Sequence, residues 1–493
     1  MAKKDKEAQK SKEIDKETPQ VEQKEEKAVT KHSAVINGKQ VKYTVTTGTI
    51  ILNDPKKEYK QKASVFFTAY TRDGVRNRST RPLTFAFNGG PGSSSVWLHL
   101  GALGPRRVKM KPDGSPLPPP YELINNEYSI LDITDLVFID PVSTGFSRAV
   151  KGEKPDDFHG FTGDIESVGD FIRLYTTRYK RWSSPKFLAG ESYGTTRAAG
   201  LSGYLQDDLG MYLNGIILIS SILNFQTARF TPGNDMPYIL FLPTYTATAW
   251  YHKKLPKALQ GNLEKALAEA ETFASTEYTL ALMKGNNLSA REHKTIVEKL
   301  AQLTGLSEDF VDQSNLRVPI FRFVKELLRD KRRTVGRFDS RFMGKDRDAA
   351  GEKFDYDPSY ATIQGVYTAM LNDYVRRDLN FESDLSYQIL TGRVHPWKFD
   401  KHQNVYVNVA ETLRQAITRN PFLKVFIANG YYDLATPYYA THYTVNHMEL
   451  DKELQKNVSM GHYEAGHMMY ACETELAKLK DDLKTFIEAA IQS

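Results

Sequence analysis

Lys186-Phe187-Leu188-Ala189-Gly190-Glu191-Ser192-Tyr193-Gly194 is the stretch on which the reading of this chain turns. Its first four residues have the apolar content of a short buried strand, and small, helix-tolerant residues follow from Thr195 to Tyr204. A strand, a sharp turn and a helix make a nucleophile elbow, a turn that leaves a serine hydroxyl exposed. The glycines on either side of Glu191-Ser192-Tyr193 allow the tight turn and keep bulk away from Ser192. G-x-S-x-G is also a common loop pattern, so the rest of the chain must supply a base, an acid and an oxyanion hole.

Two later segments supply the acid and the base. Lys424-Val425-Phe426-Ile427-Ala428-Asn429 reads as a buried strand, and Asp433 follows it on a turn that ends at Pro437. Asn457-Val458-Ser459-Met460 reads as a second strand, and His467 follows in the small-residue turn Ala465-Gly466. The order Ser, Asp, His is that of α/β-hydrolases. In such a set the histidine takes the serine proton, and the carboxylate fixes the histidine tautomer and stabilises its charged form. His462 is the competing base, but its place at the strand end suits it less well than His467 on the loop beyond. His99, His442 and His447 read as structural or exposed. Upstream, Asn88-Gly89-Gly90-Pro91-Gly92-Ser93-Ser94-Ser95 follows the strand-like Leu83-Thr84-Phe85-Ala86-Phe87. Such a glycine loop brings a backbone N–H close to a reacting carbonyl, and with the N–H after the nucleophile it builds an oxyanion hole. The bland alternative is a glycine-rich turn that only reverses the chain.

Together these segments resemble the serine carboxypeptidases, peptidase family S10. N-G-G-P-G-S-S at 88–94, G-E-S-Y-G at 190–194, G-x-x-D-x-x-x-P at 430–437 and A-G-H-M at 465–468 carry the resemblance. Ile139-Asp140-Pro141-Val142-Ser143-Thr144-Gly145-Phe146-Ser147 matches a further stretch. The resemblance runs from about residue 63 to the C-terminal helix and is weakest over 224–384. It implies Ser192 as nucleophile, His467 as base and then acid, and Asp433 as the orienting carboxylate. It implies Gly90 and Tyr193 as oxyanion N–H donors. It implies Asn88, Gly89 and Glu191 as the holders of a substrate's free C-terminal carboxylate. The last role has a physical logic: a buried, protonated glutamic acid donates to a carboxylate, whereas an ionised one repels it.

Two departures stand out. Many members have a disulfide-bonded cysteine where Ser93 stands, and Cys472 is the sole cysteine here. Many also carry a second glutamate before the L-G-P after the glycine loop. Here that stretch is Leu100-Gly101-Ala102-Leu103-Gly104-Pro105-Arg106-Arg107, with no carboxylate. The proton-sharing pair is therefore missing, which predicts activity closer to neutral pH than the family's acidic optimum. Arg106 or Arg107 could supply charge recognition; two solvated surface arginines fit the pattern equally well.

Composition agrees with a globular enzyme. A chain of 493 residues can bury a large core and suggests one large domain with an insertion. No stretch approaches the roughly 20 apolar residues that cross a bilayer, so no membrane span is expected. A net charge of +6 without a clustered basic stripe argues against nucleic-acid binding. No His/Cys/Asp cluster has metal-ligand spacing, so no metal and no cofactor are expected. One cysteine excludes an internal disulfide and suits a reducing compartment. The N-terminal region lacks the apolar run of a standard signal peptide, so a cytoplasmic location is expected, with export by another route still open.

The expected organisation is an α/β-hydrolase: a central, mostly parallel sheet with flanking helices and a helical cap insertion. Residues 1–32 are Lys/Glu/Gln-rich and read as a disordered charged tail. Residues 33–224 and 386–493 form the core, with antiparallel leading strands over 34–70. A stripe of Val168, Phe171, Ile172 and Tyr175 marks a helix before the elbow strand. Residues 225–385 read as the helical cap or lid. There Ser289-Ala290-Arg291-Glu292 is a capping box ahead of a stripe of Ile296, Val297, Leu300 and Leu303. Segments 318–328 and 363–374 also read as helices. Arg337-Phe338-Asp339-Ser340-Arg341-Phe342 and Asp355-Tyr356-Asp357 are read as solvated loop charges in preference to an ion site. The expected activity is serine-type carboxypeptidase action on a peptide with a free C-terminus, through an acyl-enzyme. An esterase or acyltransferase on the same scaffold is the runner-up, and a non-catalytic binding protein of the same fold is the reading from another class.

Overall fold

Short continuous apolar runs produce central strands buried on both faces of a sheet, and every other feature is arranged around it. The structure is a computed structural model that describes residues 23–55, 57–399 and 402–492. Ten strands form the main sheet: β1 (Lys27–Ile36), β2 (Lys39–Asp54), β3 (Lys60–Arg72), β4 (Leu83–Phe87), β5 (Asp135–Ile139), β6 (Arg148–Ala149), β7 (Lys186–Ser192), β8 (Gly215–Ser221), β9 (Lys424–Gly430) and β10 (Val458–Tyr463). Their spatial order is β1-β2-β3-β5-β4-β7-β8-β9-β10, with β6 on β3. β1, β2, β3 and β5 pair antiparallel in turn. From β5 through β4, β7, β8 and β9 to β10 every pairing is parallel.

The helices cover the two faces. They are α1 (Phe161–Arg178), α2 (Tyr193–Asp207), α3 (Met236–Tyr251), α4 (Leu263–Phe273), α5 (Ala290–Thr304), α6 (Pro358–Arg377), α7 (Ala410–Arg419) and α8 (Glu473–Gln492), with shorter turns between them. On β4, Leu83, Phe85 and Phe87 point to the α1/α2/α7 face, while Ala86 points to the α6/α8 face. β8 alternates likewise, with Ile216 and Leu218 on one side and Ile217 and Ile219 on the other. Each such side chain contributes about 1.5–3 kcal/mol on burial. Exposed ion pairs contribute about 0–1 kcal/mol each, so the two apolar faces dominate. This architecture is the α/β-hydrolase fold.

The structure moves two expected boundaries. Of the tail expected over 1–32, residues 1–22 lie outside the described residues. Residues 27–32, by contrast, are the first six of the ten residues of β1, paired with β2 from Lys27↔Gly48 to His32↔Tyr43. Ala28, Thr30 and His32 alternate with exposed neighbours, which is the pattern of an edge strand. The expected insertion over 225–385 also divides. Residues of α3, α4 and α5 share a separate core with Phe323, Val324, Leu327 and Leu328. In contrast, α6 packs Val366, Tyr367, Leu371 and Tyr374 into the main sheet's core. The capping box is present: Ser289 Oγ accepts from the Glu292 N–H at 3.2 Å, and a Glu292 oxygen accepts from the Ser289 N–H at 2.9 Å. Among the described residues no helix is long and apolar enough to cross a membrane.

One buried pair ties the fold to the glycine loop. Arg197 in α2 donates through Nε to Asp164 Oδ2 in α1 at 2.8 Å, and through Nη1 to the Asn88 carbonyl at 2.6 Å. Both side chains are almost fully buried, at 1% and 3% exposure. Removing one partner strands the other's charge in the core. Arg197→Met is therefore expected to lower the unfolding free energy by about 3–5 kcal/mol in urea denaturation. A loss no larger than that of an exposed pair would show that Asp164 finds other donors.

Candidate active site

The parallel strands deliver the expected residues to one end of the sheet. Asn88 follows β4, Ser192 ends β7, Asp433 follows β9 and His467 follows β10. Crevices at the carboxyl ends of parallel strands are the usual ligand sites of open α/β sheets. Asn88, Gly89, Gly90, Glu191, Ser192 and His467 line one cavity of about 340 Å³.

Ser192 joins β7 to α2 with φ 59° and ψ −128°, a conformation rare for a residue with a side chain. Close approach explains the neighbouring glycines. A Cβ at Gly190 would sit 2.1 Å from the Gly194 carbonyl oxygen, and one at Gly194 would sit 2.7 Å from the Phe87 carbonyl oxygen. A Cβ at Gly89 would sit 2.3 Å from the Tyr193 nitrogen. The glycine loop is therefore pressed backbone to backbone against the elbow.

His467 Nδ1 lies 2.7 Å from Asp433 Oδ2. That carboxylate is buried and also accepts from the Ala435 N–H at 2.7 Å, the Thr436 N–H at 3.0 Å and the Thr436 hydroxyl at 2.6 Å. Burial pulls the His467 pKa down, but Asp433 and Glu191 raise it, and the net shift is upward. Chemically, this is a base held in one tautomer with its charged form stabilised, facing the cavity that Ser192 also faces.

Glu191 is buried beside the elbow. The Tyr470 hydroxyl donates to its Oε2. Burial pushes its pKa up to about 7, against the lowering effects of His467, Tyr470 and Asn88. Asn88 Oδ1 accepts from the Leu98 N–H at 3.0 Å, which turns its amide nitrogen toward Glu191 and Tyr470. Ala102, at the family's second glutamate, lies in the sheet's apolar core.

Several residues weighed for the site lie outside the cavity. Arg106 donates to Asn125 Oδ1 and the Leu123 carbonyl, and Arg107 pairs with Glu473 at 2.8 Å; neither lines the cavity. His462 sits in β10 with its Nε2 2.7 Å from His442 Nε2, outside the cavity. His99 is buried against the Tyr70 hydroxyl at 2.6 Å, and burial holds its pKa down at about 3.

The segment read as solvated loop charges is the main correction. The Phe338 carbonyl accepts from the His467 N–H at 2.6 Å, the Arg337 carbonyl from the Leu434 N–H at 3.1 Å, and the Ser340 N–H donates to the Tyr432 carbonyl at 3.0 Å. Asp339 accepts from the Gly466 N–H at 3.1 Å and forms a bidentate pair with Arg341. Residues 337–341 thus strap the Asp433 turn to the His467 turn. Arg337, Phe338 and Tyr360 line the cavity. Sequence reasoning missed Arg197 and Tyr470 as supports; only the folded chain brings Arg197 to the Asn88 carbonyl or Tyr470 to Glu191.

A family model described as serine carboxypeptidase matches residues 40–479. Serine carboxypeptidase-like 11 of Arabidopsis thaliana is 32% identical over 138 residues, which cover 27% of this chain and 30% of that protein. The pheromone-processing carboxypeptidase KEX1 of Saccharomyces cerevisiae is 35% identical over 147 residues, covering 28% of this chain and 19% of that protein. The matched stretches thus span less than a third of these relatives. The crystal structure of Kex1(delta)p, a prohormone-processing carboxypeptidase from Saccharomyces cerevisiae, superposes with a TM-score of 0.58 at 15% identity, covering 90% of this chain and 91% of that one. At that identity the likeness carries the fold.

A fluorophosphonate probe is expected to label Ser192, and Ser192→Ala to abolish the label. His467→Ala is expected to lose labelling while His462→Ala keeps it. Mass mapping of the label checks both; a label on another serine, or its loss with His462→Ala alone, would reverse the assignment.

Proposed function

The chain belongs to the serine carboxypeptidase family, and we propose that it acts as one, releasing the C-terminal residue of peptides through an acyl-enzyme on Ser192. As His467 Nε2 takes its proton, Ser192 Oγ attacks the last peptide carbonyl. Asp433 stabilises the imidazolium that forms. The backbone N–H groups of Gly90 and Tyr193 hold the oxyanion, supported by the backbone contact between glycine loop and elbow. His467 then gives its proton to the leaving amine as the C–N bond breaks. Water, activated by the same imidazole, attacks the ester carbonyl, and Ser192 regains its proton.

The observation that carries the exopeptidase reading is Glu191. A carboxyl pushed up to about 7 by burial, one residue before the nucleophile and facing the same cavity, is a neutral donor in acidic and near-neutral solution. Together with Asn88 and the Gly89 backbone it suits a carboxylate at the substrate's end. Without a second acid beside it, burial rather than charge repulsion keeps Glu191 protonated.

The pH dependence follows with a definite sign. The donor is present below about pH 7 and disappears as pH rises through the Glu191 pKa. N-blocked dipeptides are therefore expected to outperform their C-terminal amides by roughly tenfold or more in kcat/KM below neutral pH, the scale of a hydrogen bond to a charged group. That preference should fade above pH 7. Glu191→Gln donates at every pH and is expected to keep the preference there. It also removes a negative charge that raises the His467 pKa, so the acidic limb of its profile should move to lower pH. Equal rates for acids and amides at every pH would instead point to an esterase or acyltransferase.

A further inference from the structure

The cavity contains a cation to which the proposed hydrolysis gives no role. Arg337 lines it with Ser192, Glu191 and His467. Its backbone is held at both ends, the N–H donating to Asp357 Oδ1 at 3.1 Å and the carbonyl accepting from the Leu434 N–H at 3.1 Å. The guanidinium stands 5.4 Å over the Phe338 ring, and that ring lies 5.0 Å from the His467 imidazole.

Nearby carboxylates act on Arg337 only at a distance. Burial lowers its pKa, and Asp357 and Asp433 oppose this through space. Neither forms an ion pair with the guanidinium, and the hydrogen bonds of Asp357 fall on Oδ1. Asp357 caps α6 by accepting from the Ser359 N–H at 3.0 Å and hydroxyl at 2.5 Å. Asp433 serves Ala435, Thr436 and His467. Arg229 adds a further positive charge. An arginine stays charged when desolvated, and the complement it lacks is an anion with a planar face for its donors.

The chemistry decides which part of a substrate this cation meets. His467 hands its proton to the leaving amine, so the released residue lies beside the imidazole. Phe338 joins that imidazole to Arg337. The substrate's own C-terminal carboxylate has Asn88 and Glu191 as partners, which leaves Arg337 to the side chain of the same residue. We propose that Arg337 makes this site selective for peptides whose C-terminal residue carries an acidic side chain, Asp or Glu. This inference rests on the carboxypeptidase reading above.

The test is kcat/KM below neutral pH for N-blocked dipeptides ending in Glu, Gln, Leu or Lys, each as free acid and as amide, with a second series placing Glu in the penultimate position. The parent, Arg337→Met and Arg337→Glu are compared, and fluorophosphonate labelling of Ser192 reports that each variant is folded. The parent is expected to favour C-terminal Glu over Gln by about 10- to 100-fold, in both the acid and the amide series. Arg337→Met should level the two, and Arg337→Glu should favour Lys. Equal cleavage of Glu and Gln peptides by the parent would overturn the inference while leaving the carboxypeptidase reading intact. So would a Glu preference confined to the penultimate position, or one that survives in labelled Arg337→Met. Loss in Arg337→Met of acid-over-amide preference alone would reassign Arg337 to the terminal carboxylate. If the labelled parent cleaved none of these peptides, the carboxypeptidase reading and this inference would fall together.

Discussion

The backbone of Ser192 is the constraint on which the site depends. Its φ of 59° and ψ of −128° lie where a residue with a side chain is strained, at a cost of roughly 1–3 kcal/mol. Such a conformation persists only where the surroundings over-determine it. Here β7 runs between β4 and β8, so the strand cannot slip, and α2 begins at once behind the serine. Gly190 and Gly194 let the turn close on itself. The glycine loop then rests on the elbow because Gly89 has no Cβ and because Arg197 holds the Asn88 carbonyl from beneath. The turn at the nucleophile and the close contact of the glycine loop with it are thus one geometric outcome.

The second organising element is the strap at 337–341. Two of the three chemically paired residues stand on separate loops, after β9 and after β10. Neighbouring strands alone leave those loops free to drift. Backbone hydrogen bonds from Arg337, Phe338 and Ser340 reach both, and Asp339 fixes Gly466 next to His467. The imidazole is clamped between the Asp433 carboxylate and the Phe338 ring. Its titration is bound to that of Glu191, since each charge acts on the other. Under the proposed mechanism the competent state has neutral His467 and protonated Glu191; a bound carboxylate favours the Glu191 proton and, as a negative charge, also raises the His467 pKa.

Sequence pattern made the central strands legible because a short, continuous run of buried residues is a local property. β4, β7, β8 and β9 each read as strands from a few consecutive residues, and the order of Ser192, Asp433 and His467 set the fold class. Where local pattern and solvent exposure diverge, the reading failed. Lys27–Ile36 has charges on its outer face that resemble a tail, yet its inner residues pair with β2. Asp339 and Arg341 pair with each other two residues apart, as solvated charges also do, but their further contacts to Gly466 and Glu464 lie over a hundred residues away, and Arg337 lines the cavity. The same long separation hid Tyr470 behind Glu191 and Arg197 behind Asn88. Arg106 and Arg107 show the converse: both stand next to the family's missing acid in sequence, and both turn away from the cavity.

The most direct measurement is a crystal structure of the phosphonylated Ser192 adduct, whose phosphoryl oxygen stands where the oxyanion develops. If the elbow and glycine loop form one preorganised site, that oxygen will accept hydrogen bonds from both the Gly90 and the Tyr193 N–H at about 3 Å, with the Ser192 backbone unchanged. A phosphoryl oxygen turned to solvent or to a side chain, or an elbow that relaxes out of its positive φ, would contradict the mechanism at its base.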